Sequence, residues 1–92
     1  MPILQVHVFV FGRVQGVGYR FFVSSAANRN KLTGFVRNVP DGSVEIVAVG
    51  EKEKLNDFLA MLEKGTWLAR VDHVVSDWME SYESFSKFEI RF

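Results

Sequence analysis

The chain has 92 residues, eleven basic and eleven acidic side chains, and no cysteine. This length suits one domain with a single core, and the absence of cysteine excludes disulfides, thiol nucleophiles and cysteine-ligated metals. The balanced charge argues against a broad nucleic-acid or anionic-membrane surface, which would need an excess of basic residues. No apolar run approaches the ~20 residues that span a bilayer, and the first residues lack the pattern of a signal peptide. We therefore expect a cytoplasmic protein, monomeric from its small size and neutral charge, with no nucleic-acid or membrane partner.

Apolar periodicity in the first half of the chain predicts a strand, a helix and a β-hairpin. Residues 3–11 are apolar at nearly every position, which is typical of a central strand. Residues 19–30 carry apolar side chains at three- and four-residue spacing, which indicates a helix with one buried side. Strands are predicted at 33–39 and 43–49, because Pro40-Asp41-Gly42 between them is a strong turn signal.

The second half predicts a helix and two further strands. Residues 51–64 have apolar side chains at helical spacing, with acidic residues first, a lysine last and a glycine directly after it. Residues 70–79 predict a strand whose alternation is imperfect at Val74 and Val75, which indicates a bulge there. Polar residues 80–84 predict a loop, and alternation over 88–92 predicts a short last strand.

The predicted order β-α-β-β-α-β, followed by a short strand, indicates the α+β class. Two split β-α-β units give the ferredoxin-like arrangement, an antiparallel sheet with both helices on one face. No linker or low-complexity segment interrupts the chain. We therefore expect residues 1–92 to form one domain.

A glycine-rich turn joins the first strand to the first helix. It runs from Gly12 to Arg20 and contains three glycines and two arginines. Glycine lets the backbone approach a ligand closely, and a helix N-terminus presents N–H groups and a positive dipole end. Together with Arg20 at the opening of the helix, this pattern predicts a site for phosphate or another oxyanion.

The motifs of nucleotide and metal sites are missing around this turn. Phe21 occupies the place of the third glycine of the dinucleotide pattern, and the Gly-Lys-Ser/Thr ending of the ATP-binding loop is absent. No acidic cluster is suited to magnesium. His7 and His73 each stand alone within strand patterns, so we expect structural or surface roles for them.

Two segments of the sequence together resemble the acylphosphatase family. The first is the Gly12–Arg20 turn, and the second is Gly34–Asn38 with the following Asp41–Val44. The resemblance extends over nearly the whole chain, with further matches at Gly50, Leu68–Val71 and Phe88–Arg91. Two departures are mild: Tyr19 stands where phenylalanine is more usual, and the loop Gly65-Thr66-Trp67 lacks a frequent proline.

The resemblance implies hydrolysis of an acyl phosphate to a carboxylate and inorganic phosphate, without a metal or other cofactor. It implies that Arg20 binds the phosphoryl group and that Asn38 orients the attacking water. It also implies that backbone N–H groups of the turn hold the remaining phosphate oxygens. The residues expected to bind substrate in this way are Gln15, Gly16, Val17, Gly18, Tyr19 and Arg20.

This assignment agrees with the chemistry of the substrate. The leaving carboxylate has a conjugate acid with a pKa of about 4, so it needs no proton from a general acid. Phosphoryl transfer then depends on positioning and on stabilisation of charge. An amide such as that of Asn38 can hold a water in line but is too weak a base to deprotonate it. A phosphoryl oxygen of the substrate is a candidate proton acceptor.

Several alternatives stay open at this stage. Asn38 alone could simply bond its own backbone before the turn. A non-catalytic phosphoanion-binding module would explain the glycine-rich turn, although it would have little need of a water-orienting amide. RNA binding is the other alternative, but the glycine–aromatic stretch leads into a helix rather than lying on a central strand. Phe9, Tyr19 and Trp67 are expected to pack in the core rather than to contact substrate.

Overall fold

The computed structural model describes residues 2–80 and 82–92. Met1 and Ser81, the latter within the predicted loop 80–84, lie outside the described residues. Every strand and helix predicted from the sequence is present, and no boundary differs by more than two residues. In chain order the elements are β1 (Ile3–Arg13), α1 (Tyr19–Arg29), β2 (Thr33–Asn38), β3 (Val44–Glu51), α2 (Lys52–Lys64), β4 (Arg70–Met79) and β5 (Phe88–Arg91). Neither described helix is long and apolar enough to cross a membrane.

The strands form one sheet in the order β4-β1-β3-β2-β5. All neighbouring pairs are antiparallel except β2 and β5, which run parallel. The short fifth strand therefore makes a ferredoxin-like sheet mixed at one edge. The predicted α+β class, with two helices on one face, is confirmed.

The core lies between the sheet and the two helices. Alternate residues of β1, Val6, Val8 and Val10, are fully buried there, whereas the intervening His7 and Phe9 lie half-buried on the opposite face. Helix α2 adds the buried side chains predicted from its periodicity, among which Phe58 packs edge-on against Phe88 of β5. The apolar period of each element therefore determines which face it turns to the core.

The predicted bulge in β4 occurs at a different residue. Val74 and Val75 pair regularly with Val10 and Phe9, so the expectation of a bulge there is wrong. The register shifts instead where Phe11 pairs with His73 and Gly12 pairs with Val71, which leaves Asp72 without a partner on β1. A Cβ on Gly12 would collide with the carbonyl oxygen of Arg70. The strands thus approach closely at this glycine, a contact that alternation within β4 could not reveal.

The C-terminal ends of β1, β2 and β5 lie at the same end of the sheet. β1 and β2 run in the same direction because both are antiparallel to β3, and β5 is parallel to β2. In the register, Val10 of β1 and Asn38 of β2 both pair with Val44 of β3. Adjacent strands lie about 4.8 Å apart, so Asn38 lies about 10 Å across the sheet from Val10 of β1. Val10 is close to the point where the chain leaves β1 and enters the glycine-rich turn.

Candidate functional site

The turn between β1 and α1 has the backbone conformation that glycine favours. Gly18 precedes the first residue of α1 with φ 77° and ψ 14°, and Gly16 has φ 75°. A Cβ on either would meet no atom within 4 Å, so the left-handed backbone rather than lack of space favours glycine here. No side chain of the described residues caps this end of α1. The turn therefore presents backbone N–H donors and the positive end of the helix dipole.

A small cavity of ≈ 80 Å³ opens at this helix end. Its walls come from the turn, the start of α1 and the end of β2, which confirms that the two sequence motifs meet. The lining residues are Val14, Gly16, Gly18, Tyr19, Arg20, Phe21 and Asn38. Among them Arg20 carries the charge, and no carboxylate is included. The cavity suits a small anion rather than a nucleotide.

Two residues at the C-terminal end of the chain, Arg91 of β5 and Phe92, contact the guanidinium of Arg20. Nη1 of Arg20 donates a hydrogen bond of 3.0 Å to the carbonyl oxygen of Arg91, and Cζ lies 4.6 Å from the centre of the Phe92 ring. A guanidinium has five N–H groups. Four of them therefore stay available for an anion while the group is oriented by a hydrogen bond and a cation–π contact.

Asn38 turns its side chain to the helix side of the sheet. It has the same parity along β2 as Val36, which is fully buried beneath the helices. Its Oδ1 atom is buried and has no hydrogen-bond partner among the described residues. Leaving such an acceptor unsatisfied costs about 1–3 kcal/mol, so a small polar molecule in the cavity is its natural partner.

Gln15 joins the turn to the β2–β3 hairpin. Its Nε2 donates to the carbonyl oxygens of Val39 and Ser43, both at 2.8 Å. Those two residues form the base of the hairpin, where the N–H of Val39 donates to the carbonyl oxygen of Ser43 at 2.9 Å. The side chain of Gln15 is therefore bound to the hairpin, so its backbone N–H is the group that could contact an anion.

The three aromatic side chains expected in the core differ in burial. Tyr19 is buried, and its hydroxyl donates to the carbonyl oxygen of Leu62 in α2 at 3.0 Å. Burial raises the pKa of this phenol, so the hydroxyl stays neutral. Phe9 is half-buried. Trp67 is 92% exposed in the connection between α2 and β4, so the core prediction is wrong for it. An aromatic type in a loop does not by itself determine burial.

Phe21 is a lining residue that the sequence reasoning missed. It lines the cavity yet is 66% exposed, unlike the neighbouring buried Tyr19. Its position directly after Arg20 was the available signal for a lining role. From the sequence, Phe21 served only as evidence against a dinucleotide-binding motif. The contribution of Arg91 and Phe92 was also missed, because it depends on where β5 joins the sheet.

Charged groups outside the cavity have structural partners. Asp41 accepts bonds from the side chain and the N–H of Ser43, which lower the pKa of its carboxyl group. On the opposite face of the sheet, Glu45 accepts from His7 at 2.7 Å and also from Arg37. Burial alone would raise the pKa of Glu45, but the hydrogen bonds from His7 and Arg37 outweigh it, and the net direction is down. These groups stabilise the hairpin and the sheet.

A larger open depression of ≈ 330 Å³ lies between α2 and β4. Its titratable lining residues are Glu63, Asp72 and His73, so the two carboxylates there would repel an anion. No group of three or more histidine, aspartate or glutamate side chains within 2–80 and 82–92 is arranged to hold a metal ion. The arrangement for binding an anion is therefore in the smaller cavity beside Arg20.

Fold and cavity together define a ferredoxin-like protein with a small cavity at a helix N-terminus, lined by Arg20 and Asn38. Residues 6–90 match the model of the family described as Acylphosphatase. A curated acylphosphatase of Bacillus licheniformis is 45% identical over 97% of this chain and 99% of its own length. A curated acylphosphatase of a Mycobacterium species is 42% identical over 98% of this chain and 96% of its own length. The crystal structure of acylphosphatase from Bacillus subtilis matches with a TM-score of 0.94 at 38% identity, over 97% of this chain and 99% of that one.

This chain therefore belongs to the acylphosphatase family, and it is an enzyme that hydrolyses acyl phosphates. The reading as a non-catalytic phosphoanion-binding module is set aside by that membership.

Proposed function

We propose that the cavity beside Arg20 is the active site, with Arg20 and the turn binding the phosphoryl group and Asn38 orienting the attacking water. The turn contributes backbone N–H groups from Gln15 to Arg20. The left-handed conformation of the glycines in the turn leaves its N–H groups free to donate, and the dipole of α1 adds positive potential at the same place. The phosphoryl oxygens would lie there. Arg20 supplies the charge that compensates the three equatorial oxygens in the transition state.

The observation that carries this proposal is the buried, unpartnered Oδ1 of Asn38 in the wall of the same cavity. An amide oxygen accepts a hydrogen bond from water. A water held by Oδ1 would lie between β2 and the phosphorus atom bound at the turn. The same atom is difficult to explain as a turn-forming group, because it has no bond to the described backbone.

The proposed reaction needs no general acid and no metal. Water adds to phosphorus, the bond between phosphorus and the acyl oxygen breaks, and that oxygen leaves as a carboxylate. Its low basicity, with a conjugate acid of pKa about 4, makes protonation unnecessary. The lining residues of the cavity, all within the described ranges, include no histidine or carboxylate. The proton of the water therefore passes to a phosphoryl oxygen of the substrate and leaves with inorganic phosphate.

We also propose that residues 1–92 act as one domain, as a monomer and in the cytoplasm. The single core between sheet and helices supports one domain. The balanced charge and lack of cysteine support the other two expectations. Size-exclusion chromatography coupled to light scattering tests the monomer, and a mass near twice 10.5 kDa would contradict it.

The experiment for the active site is hydrolysis of benzoyl phosphate in the presence of EDTA, by the parent protein and by Asn38→Ala. The parent is expected to retain its full rate with the chelator. Asn38→Ala is expected to lose about 10²-fold or more in kcat, the scale at which misplacing a reacting group acts. Inhibition by inorganic phosphate should change by less than about threefold, because the amide acts on water rather than on phosphate binding.

Asn30→Ala is the matched control. Asn30 is a buried asparagine whose Nδ2 donates a hydrogen bond of 2.9 Å to the carbonyl oxygen of Ala26, at the far end of α1. It should lower the free energy of unfolding and leave kcat unchanged. A parent-like rate in Asn38→Ala would refute the role of Asn38, and loss of the parent rate with EDTA would refute the metal-free reaction.

A further inference from the structure

We infer that Gln15 is a positioning residue, which fixes Asn38 in the cavity by clamping the base of the β2–β3 hairpin to the phosphate-binding turn. This inference rests on the proposed role of Asn38. It assigns to the side chain of Gln15 a role in placing the water, distinct from the contact of its backbone N–H with phosphate.

The hydrogen bonds of Gln15 use its whole donor capacity. A glutamine amide has two N–H groups, and Nε2 lies 2.8 Å from the carbonyl oxygens of both Val39 and Ser43. Neither donor is left for a phosphate ion. The remaining atom, Oε1, is an acceptor and would be repelled by an anion. The side chain therefore acts on the hairpin.

Asn38 needs this support because no hydrogen bond from the described residues holds its side-chain oxygen. No N–H or O–H group of those residues donates to Oδ1, so the amide is not fixed through this atom. The position of the amide then depends on the backbone at the end of β2. That backbone continues directly into Val39, whose carbonyl oxygen accepts from Gln15.

The hairpin turn beyond Asn38 is otherwise closed by bonds within itself. The N–H of Val39 donates to the carbonyl oxygen of Ser43, and the N–H of Gly42 donates to the carbonyl oxygen of Val39 at 3.0 Å. The carboxylate of Asp41 accepts from the N–H and the hydroxyl of Ser43. These bonds shape the turn but do not attach it to the Gly12–Arg20 segment. Gln15 supplies that attachment, and it does so on both sides of the hairpin base, at the residue after β2 and the residue before β3.

The test compares Gln15→Met with Gln5→Met. Methionine has nearly the length of glutamine but no N–H donor. Gln5 is the matched control, because it is another glutamine joining two segments: it is buried, and its Oε1 accepts from Glu83 N–H at 2.9 Å at the opposite end of β1. We expect Gln15→Met to lose about tenfold or more in kcat for benzoyl phosphate, with the inhibition constant of inorganic phosphate within about threefold of the parent. Gln5→Met should lower the melting temperature without changing kcat.

Gln15→Glu gives a second readout that a purely structural role would not produce. A carboxylate facing two carbonyl oxygens cannot donate, whereas the protonated acid donates one hydrogen bond. These surroundings disfavour the charged form and raise the pKa of the new carboxyl group above about 4.3. The kcat of Gln15→Glu is therefore expected to recover as the pH falls, relative to the parent and to Gln15→Met assayed at the same pH.

The outcomes separate this inference from the function on which it rests. If Asn38→Ala hydrolyses benzoyl phosphate like the parent, the role of Asn38 itself fails. If Asn38→Ala is impaired but Gln15→Met keeps kcat within about twofold of the parent, the clamp alone is refuted. Weaker phosphate inhibition with an unchanged kcat would also refute it. If Gln15→Met does not fold, the pH dependence of Gln15→Glu decides: a kcat that does not recover on acidification overturns the inference.

Discussion

Replacing Arg20 with glutamine should remove the main charge that we propose binds the phosphoryl group. In the parent, one N–H of the guanidinium donates to the Arg91 carbonyl oxygen and four remain for substrate. A planar guanidinium typically forms two parallel bonds to a phosphoryl group. Glutamine keeps a polar side chain of shorter reach but has no positive charge, so it would lose both charge-assisted bonds.

The expected size of the effect follows from those two bonds. Each hydrogen bond to a charged group contributes about 1.5–3 kcal/mol. Losing two raises the barrier for kcat/KM by about 3–6 kcal/mol, which corresponds to roughly 10²–10⁴-fold. The free energy of unfolding should change little, because the carbonyl oxygen of Arg91 lies at an exposed site where water can replace the guanidinium.

The assay is the steady-state hydrolysis of benzoyl phosphate, with inhibition by inorganic phosphate measured in parallel. Arg37→Gln is the matched control: Arg37 precedes Asn38 but lies on the other face of the sheet, paired with Glu45. Arg20→Gln should lose both activity and phosphate inhibition, whereas Arg37→Gln should keep both. A loss of less than about tenfold in kcat/KM for Arg20→Gln would refute the two-bond reasoning.

Two further predictions concern stability. Tyr19→Phe removes the hydroxyl that donates to the Leu62 carbonyl oxygen, so it should lower the free energy of unfolding by about 1 kcal/mol. Urea denaturation measures this change, and an unchanged midpoint would contradict the prediction. For Glu45, the pKa is lower in the folded state, so its contribution to stability is present above the unfolded pKa of about 4.3 and is lost as the pH falls through the folded pKa. The stability advantage of the parent over Glu45→Gln should therefore shrink on acidification from pH 7 towards pH 3, and an advantage independent of pH would refute that sign.

The turn that we propose as the oxyanion site could be located from the sequence because its main determinants are local. The glycines of the turn, the start of α1 and Arg20 are consecutive in the chain, and their chemistry follows from short-range backbone geometry. Asn38 was identified through the resemblance of its motif. Its distance from the turn depended on strand register, which is set by pairing with β3 through Val44.

The features missed by the sequence reasoning depend on contacts between distant parts of the chain. Arg91 and Phe92 reach Arg20 because β5 joins the sheet parallel to β2, and a short alternating segment does not specify its neighbour. The displaced bulge at Asp72 has the same origin, since it depends on the close approach of β4 to Gly12.

The sequence by itself determined the order of elements, the ferredoxin-like class and the position of the glycine-rich turn, because periodicity, turn residues and helix ends act over a few neighbouring residues. The tertiary structure alone decided that the amide of Gln15 bonds the hairpin, that Oδ1 of Asn38 is buried without a protein partner in the described residues, and that Trp67 is exposed. The physical reason is that burial and hydrogen-bond partners are properties of the packed sheet and helices, to which segments far apart in the chain contribute together.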